Sequence, residues 1–505
     1  GKEGEGGLFG GVLGEGRGLR AAYAFIVGQV ISTVWRNLPE RQGGQGLAEG
    51  AVPGGLSVTR RGIELELFGF WWWCLFGVAV LMAAYGIHWL FMQREHPRFV
   101  VLVLGDVGHS PRMQYHVRSL AKLGYVDFIG YPGSDPVKDV KENPRVRLRY
   151  VRPFRSPLAV PYVVYAACRV LWESAQLAWF LAVASRPRAF LVQNPPAIPS
   201  LLWVAVASRL RGAPMVVDWH NFGYTMMAMQ FGSEHGLVRL SYHWEKFFSR
   251  FCHASFCVSE AMKAFLESEF GAEAQTMYDR PPEFFRPFNE SERDEVWKGL
   301  KDQGFLDGMP AEWPLHGEHR PFVLVSSTSW SPDEDFDMLL EALPRIDQDF
   351  SGRKQRLLVC VTGKGPLKER FLARVAKLDL SSTCVLTMWL PIAMYPRLLA
   401  SATFGLSLHA SSSGLDLPMK VVDMFGAGLP VLALEFGRGD ARTIAELVAD
   451  GEDGILFSDS AGLATAVSRA TKERAAFAEK ARRKFEGRGW QAQWDLAAGP
   501  IFGAL

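Results

Sequence analysis

The sequence predicts an α/β protein of two doubly wound halves, each a parallel sheet with helices on both faces, and three observations carry that prediction. Short apolar runs alternate with helical patterns along most of the chain, the order that builds parallel sheets through helical crossovers. The runs are continuously apolar rather than alternating, as strands buried on both faces must be. The series stops once, over the polar stretch Asn289 to His319, and then restarts. At 505 residues the chain exceeds what one compact core accommodates, so two globular units are expected.

The first series of predicted strands is Val100 to Leu104, Val126 to Tyr131, Val146 to Val151, Phe190 to Gln193, Met215 to Asp218, Ser255 to Val258 and Gln275 to Tyr278. The second is Phe322 to Ser326, Leu357 to Thr362, Cys384 to Met388, Phe404 to Leu408, Pro430 to Leu434 and Ile455 to Phe457. At the first of them the chain changes rules abruptly. Val100 to Leu104 is aliphatic throughout, but Gly105, Asp106, Gly108, Ser110 and Pro111 cannot continue a strand. From Pro111 the apolar residues Met113, Val117, Leu120 and Leu123 recur three or four apart until Gly124, which is a helix with proline near its first position. Two such sheets imply a cleft, with ligands meeting the carboxyl ends of the strands. A nicotinamide dinucleotide is disfavoured there. The turn offers Gly105 and Gly108, a GxxG rather than GxGxxG, and the next strand ends in Tyr131-Pro132-Gly133 where a ribose-binding acid would stand.

The flanks obey other rules. Residues 1–62 are too rich in glycine to bury a core and read as a disordered leader. Residues 63–93 are predicted as a membrane anchor, because Leu67 to Met92 holds one ionisable residue, His88, in 26 positions. A helix of that length reaches ~39 Å at ~1.5 Å per residue, more than a ~30 Å hydrocarbon core. Trp71, Trp72, Trp73 and Trp89 would mark the interfaces, and the flanking arginines favour a cytoplasmic C-terminal side. The expected units are then 98–300, 320–470 and a helical tail, 471–505. A second apolar stretch, Leu158 to Ala184, is interrupted by Arg169, Glu173 and Gln176. That makes it a helix lying against a bilayer, or one buried between sheet and membrane, rather than a span. Lys and Arg total 55 against 53 Asp and Glu, which argues against nucleic acid as the main partner. The six cysteines form no CxxC pair and no metal spacing, so they read as reduced thiols.

Two stretches of the second half carry chemistry. In Val361 to Glu369 a strand meets Gly363-Lys364-Gly365 and a helix start, a turn whose free N–H groups favour phosphate. In Ser407 to Glu435 a strand opens onto Ser411, Ser412, Ser413 and Gly414. A helix follows near Pro418, with Lys420 in its first turn and Asp423 on the same face. Lys420 suits a diphosphate and Asp423 the hydroxyls of a ribose. A capped helix with a surface ion pair also accounts for Lys420 and Asp423, but not for the serine run.

Together "GDVGHSPRMQYH", "VQNPPAIPS", "VDWHNFGYTMM", "YDRPPEFFRP", "VSSTSWSPDEDFDMLLEAL" and "HASSSGLDLPMKVVDMFGAGLP" resemble the chitobiosyldiphosphodolichol β-mannosyltransferases, collinearly from Phe99 to about Phe457. The resemblance implies a GT-B fold of two Rossmann-like domains with an N-terminal transmembrane helix. It implies GDP-mannose as donor, a dolichol-diphosphate-linked GlcNAc2 acceptor, and a β-1,4 linkage formed with inversion in N-glycan precursor assembly. The setting implied is the cytosolic face of the endoplasmic reticulum membrane, among other lipid-linked oligosaccharide glycosyltransferases. The leader looks longer than the family usually carries, and His109 stands where an arginine is expected. The alternatives are a sibling transferase using another nucleotide sugar or lipid acceptor, and a non-catalytic scaffold subunit.

Inversion needs a base to activate the acceptor hydroxyl and donors to meet the leaving diphosphate. For the leaving group the expected set is Gly363, Lys364, Gly365, Ser411 to Gly414 and Lys420. By likeness to GT-B enzymes, Asp423 holds the ribose, while Trp389 and Leu390 meet the base. The catalytic base is expected in the first half as Asp106, which ends the opening strand, or His220, which ends "MVVDWH". Each has a plainer reading, Asp106 as a helix cap and His220 as a satisfied hydrogen-bonding residue. Gly105, Gly108, Ser110 and Arg112 are expected to hold the acceptor, Arg112 as a bidentate partner of its diphosphate. Asp333-Glu334-Asp335 opens a helix, where acids favour the dipole, and is assigned no metal; no cofactor is expected. Tyr278 to Pro287 reads as a hinge or packing element.

Overall fold

The computed structural model describes residues 96–504 apart from 156–160, 185, 318, 332, 333, 440 and 488. The predicted leader and the apolar segment Leu67 to Met92 lie outside the described residues. Among the described residues no helix is long and apolar enough to cross a membrane.

Each predicted strand is present. The N-terminal lobe contains β1 (Arg98–Asp106), β2 (Tyr125–Tyr131), β3 (Val146–Tyr150), β4 (Pro187–Asn194), β5 (Met215–Trp219), β6 (Ala254–Cys257) and β7 (Gln275–Thr276). They form one sheet in the order β3-β2-β1-β4-β5-β6-β7, with parallel pairing throughout. The C-terminal lobe contains β8 (Phe322–Ser327), β9 (Leu357–Thr362), β10 (Thr383–Met388), β11 (Phe404–Ser407), β12 (Val431–Leu434) and β13 (Gly454–Phe457). Their order is β10-β9-β8-β11-β12-β13, again parallel. In both sheets the order reverses beside the first strand, which opens a crevice at its carboxyl end.

The continuous apolar runs are explained by cores on both faces. One side of the N-terminal sheet buries Leu102, Phe190, Val217 and Trp219 under helices Tyr162–Ala182, Ser200–Arg211 and Gly236–Ser249. The other buries Phe99, Val101 and Phe256 against Met113, Val117 and Leu120 of helix Pro111–Leu123. Helix Ser460–Arg483 covers the C-terminal sheet through Leu463, Val467 and Phe477.

The expected tail, 471–505, is divided between the lobes. Residues up to Arg483 continue the helix on the C-terminal sheet, whereas Trp490–Ala497 and Gly499–Gly503 pack on the N-terminal lobe. There Phe502 meets the rings of Phe99 and Phe256, and Trp494 Nε1 donates to His116 Nδ1 at 3.1 Å. These bulky aromatics bury more apolar surface across the gap than a solvated tail could.

A second tie lies along the cleft. Asn221 Nδ2 donates to Ser412 Oγ and Asp416 Oδ1 at 3.2 and 3.0 Å, and the Thr225 and Ser412 hydroxyls meet at 3.1 Å. Glu446 accepts from the backbone N–H groups of Glu260 and Ala261 and from Tyr278 Oη. A carboxylate at the first turn of helix Glu260–Phe265 satisfies orphan donors and complements the dipole.

Candidate active site

Between the lobes lies a cavity of about 790 Å³. One wall comprises His109, His220, Val258 and Asp279; the other includes Ser327, Thr328, Glu334, Gly363, Trp389, Leu390, Tyr395, Lys420 and Asp423. The strand–turn–helix junctions identified in the sequence thus converge.

On the N-terminal wall Asp218 is fully buried near the end of β5, and four donors converge on it. Arg112 approaches side-on, Nε to Oδ2 at 2.8 Å and Nη2 to Oδ1 at 2.9 Å. His116 Nε2 and His220 Nε2 reach Oδ2 at 3.1 and 2.9 Å. The charge-assisted bonds hold the Asp218 carboxyl well below its ordinary value despite burial. Because Trp494 donates to Nδ1 of His116, that ring carries its proton on Nε2. In neutral His220 the same logic puts the proton on Nε2, facing Asp218, and leaves Nδ1 as the basic atom. Asp218 is the penultimate residue of β5 and His220 follows its last; the spacing of two, which lets side chains share a face, was present in "VVDWH".

Two expectations change here. Arg112 is 1 % exposed, and besides Asp218 its Nη1 donates to Met277 O at 2.6 Å and Asp279 Oδ1 at 3.0 Å. A guanidinium so enclosed cannot grip a lipid diphosphate; Arg112 instead positions the carboxylate that orients His220. Asp106 does not line the cavity. It accepts from the N–H groups of Gly108 and Ser134 at 2.9 and 2.8 Å and pairs with His109 Nδ1 at 2.7 Å. Burial opposes ionisation, but His109 and the two backbone donors outweigh it, drawing the carboxyl down to about 2. Such a weak base suits turn-building, not proton abstraction. Ser110 joins the same turn, donating to Asp106 O at 2.9 Å. A Cβ on Gly108 would lie 2.3 Å from Ser134 O, so this glycine serves close packing. Neither Gly105, Gly108 nor Ser110 lines the cavity; His109 does.

The opposite wall sorts the predicted donor-binding residues. Gly363, Trp389, Leu390, Lys420 and Asp423 line the cavity, while Lys364, Gly365 and Ser411 to Gly414 do not. Lys364 places Nζ 4.5 Å from the centre of the Trp389 ring, a cation–π contact at the rim. Side chains at Gly363 or Gly365 would strike Thr328 O or Ser329 O, so both glycines let the turns after β8 and β9 touch. The serine run is a loop clasp. Ser411 and Ser413 donate to Asp416, Ser411 Oγ accepts from Gly414 N at 2.9 Å, and Ser412 meets Asn221 and Thr225. Gly414 sits at φ +72°, and its carbonyl accepts from Thr443 Oγ1 at 2.6 Å.

Lys420 pairs with Glu334 and donates to Ser327 O at 2.7 Å. Glu334 also accepts from Thr328 Oγ1. Of the discounted acids, Asp335 caps helix Phe336–Gly352 by accepting from Met338 N at 3.2 Å, whereas Glu334 faces the cleft. Asp423 is raised to about 8 by burial first and by the neighbouring negative charge of Asp279 second. Asp279 itself comes from the stretch read as a hinge. Among the described residues no cluster of His, Cys, Asp and Glu is placed to hold a metal.

Two facing Rossmann-like lobes with such a cleft define a GT-B glycosyltransferase. Residues 107–277 match the glycosyl transferase 4-like domain and residues 320–473 match glycosyl transferases group 1. Among solved structures, sucrose-phosphate synthase from Thermosynechococcus elongatus shares the fold with a TM-score of 0.56 at 16% identity, covering 81% of this chain and 99% of that one. The lipopolysaccharide glycosyltransferase WaaG does so at 0.54 and 17%, covering 80% and 99%. Curated relatives include the UDP-glycosyltransferase TURAN of Arabidopsis thaliana, 40% identical across 73% of this chain and 87% of that protein. The chitobiosyldiphosphodolichol β-mannosyltransferases of Homo sapiens and Mus musculus are 39% and 38% identical; each match covers 72% of this chain, and 82% and 79% of theirs. The chain belongs to the chitobiosyldiphosphodolichol β-mannosyltransferase family and is a glycosyltransferase.

Proposed function

We propose that this protein transfers mannose from GDP-mannose to GlcNAc2-diphosphodolichol with inversion, forming a β-1,4 linkage at the cytosolic face of the endoplasmic reticulum membrane. The observation that carries the reading is the opposition, across one cavity, of His220 and Lys420. The acceptor hydroxyl attacks the anomeric carbon as the bond to the diphosphate oxygen breaks, and its proton passes to Nδ1 of His220. Asp218, held by Arg112, stabilises the resulting imidazolium without taking the proton. GDP leaves toward Lys420. Glu334 pairs with that ammonium, and the diphosphate competes for it. Asp423 accepts the ribose hydroxyls, with Trp389 and Leu390 against the base. The acceptor's sugars approach from the side of His109 and His220. Its diphosphate is left to groups other than Arg112.

A second reading, another nucleotide sugar as donor, is favoured by one observation, the name UDP-glycosyltransferase borne by the Arabidopsis relative. Radiolabelled GDP-mannose and UDP-sugars, each offered with GlcNAc2-diphosphate on a short isoprenoid, separate the readings. A mannosylated lipid from GDP-mannose alone is expected. Product only from a UDP-sugar would overturn the donor assignment, and no product from any donor would leave a scaffold role.

A further inference from the structure

Another cavity, of about 440 Å³, lies at the far end of the C-terminal sheet from the cleft. Pro321, Thr403 and Pro430, which immediately precede β8, β11 and β12, line it, so it sits at the strands' amino ends. No residue lines both cavities. Helix Glu290–Asp302 contributes Arg293, the segment leading into β8 contributes Arg320, and helix Ser460–Arg483 contributes Arg474 and Arg482. Four guanidinium groups thus border one cavity, and among the described residues Glu290 is its one lining carboxylate.

The acids of these elements are already engaged. Glu290 pairs with Arg320 at 2.8 Å, Glu292 with Arg286 at 2.6 Å and Asp294 with His316 at 3.1 Å. Along the long helix Glu473 pairs with Arg469 and Glu479 with Arg483. Among the described residues Arg293, Arg474 and Arg482 are left without a carboxylate partner. Arg293 Nε and Arg320 Nη1 are moreover buried with no hydrogen-bond partner, a costly state for charged donors. Burial first, then the positive charges of Arg482 and Arg320, draw Arg293 below its ordinary value, with Glu290 opposing. Arginines can also serve to satisfy helix carboxyl ends, and the Arg482 stem does cross Gly428, where a Cβ would lie 2.8 Å from its Cγ. The carbonyls there have other donors. Asp423, Met424 and Phe425 O accept from the N–H groups of Ala427, Leu429 and Gly428, and Ser401 O from Trp297 Nε1.

We propose that this cavity binds a soluble phosphorylated small molecule, its phosphoryl group held by Arg293 and Arg320 at the half-buried end and by Arg474 and Arg482 at the exposed end. A phosphoryl dianion matches the site on three counts. It offers several acceptor oxygens to forked guanidinium donors, it neutralises like charges that otherwise repel, and it reaches the buried nitrogens that no protein group satisfies. The volume exceeds that of a bare phosphate and suits a small metabolite. The site is separate from the donor's. Helix Met419–Gly426, which carries Lys420 and Asp423 at the cleft, spans about 12 Å before the chain reaches Gly428 here. The inference does not depend on which sugar is transferred.

The test titrates inorganic pyrophosphate into the full chain in detergent by calorimetry. Lys420→Ala removes the cleft's own contribution, and saturable binding should persist in that variant. Arg474→Gln combined with Arg482→Gln, both at exposed positions, should weaken it by about tenfold or more with an unchanged thermal transition. Arg293→Gln should weaken it as strongly, without lowering the ligand-free melting temperature, because the variant sheds an uncompensated cation. Binding lost in Lys420→Ala but intact in the arginine variants would overturn the proposal, as would no binding to the unmodified chain. A lower melting temperature in Arg293→Gln with pyrophosphate affinity unchanged would also overturn it, showing the arginines to be structural. Competitors then identify the source of the phosphoryl group. Displacement of pyrophosphate by glycerol 3-phosphate supports a soluble ligand; displacement only by a short-chain phosphatidylinositol 4-phosphate would overturn that part in favour of a lipid headgroup.

Discussion

Replacing Arg112 by methionine separates a positioning role from ligand contact. The substitution keeps much of the side chain's length but removes the side-on pair with Asp218 at 2.8 and 2.9 Å and the contact with Asp279 at 3.0 Å. It strands a fully buried carboxylate beside a nearly buried one. Breaking a buried ion pair from one side costs about 3–5 kcal/mol. At ~2–4 °C per kcal/mol for a lobe of this size, the thermal transition should fall by ~6–20 °C. The assay is tryptophan-fluorescence unfolding in detergent, beside steady-state transfer at a temperature where the variant remains folded. Turnover should drop with little change in acceptor KM, since His220 loses its fixed orientation. Arg112→Lys should recover only part of either loss, because an ammonium cannot reproduce the two-pronged contact. Asp218 is depressed in the folded state, so its pairing stabilises above the ordinary carboxylate value of 3.8 and is lost as pH falls through its lower native value. The gap between wild type and Arg112→Met should therefore be widest near neutrality and narrow toward acid. An unchanged transition with a raised acceptor KM would refute the reasoning and return Arg112 to the acceptor's diphosphate.

His220→Gln should lower kcat by about 10²–10⁴-fold, the usual worth of a general base, with donor affinity retained; Asp106→Asn should keep most turnover while lowering the thermal transition. Wild-type rates in the first variant, or collapse of kcat in a stable second, would move the base back to Asp106. Lys420→Ala should weaken GDP binding by roughly 10- to 100-fold, from ~1.5–3 kcal/mol of charge-assisted contact, as read by calorimetry. Asp423 prefers its protonated form in the fold, with its value raised to about 8, so folding takes up a proton and stability falls as pH rises from the ordinary carboxylate range through about 8. Asp423→Asn should thus raise the ligand-free melting temperature at pH 8, leave it little changed near pH 4, and weaken binding of GDP. A melting temperature that falls equally at both pH values would remove the burial argument.

The sequence by itself determined the two sheets, because a strand buried on both faces must be apolar at consecutive positions. Val100 to Leu104 and Leu357 to Thr362 announce themselves without any partner in view. It also located, to within a residue or two, the junctions where those strands stop, although β1 runs on through Gly105 to Asp106 before it turns. Gly363, Lys420 and Asp423 were expected beside such junctions, and Trp389 and Leu390 by likeness to GT-B enzymes; all five line the cavity. What such a side chain does there depends on neighbours remote in the chain, and that was decided by the tertiary structure alone. Arg112 reads as an anion ligand until Asp218, 106 residues later, is found against it. The serines at 411 to 413 read as a phosphate loop until Asp416 and Asn221 take their hydroxyls. Glu334 and Asp279 look like helix-dipole and hinge residues until folding brings them to the cavity. Local periodicity reports burial because burial is imposed on each residue in turn; hydrogen-bond partners and proton affinities belong to pairs, and only the packed lobes bring those pairs within reach.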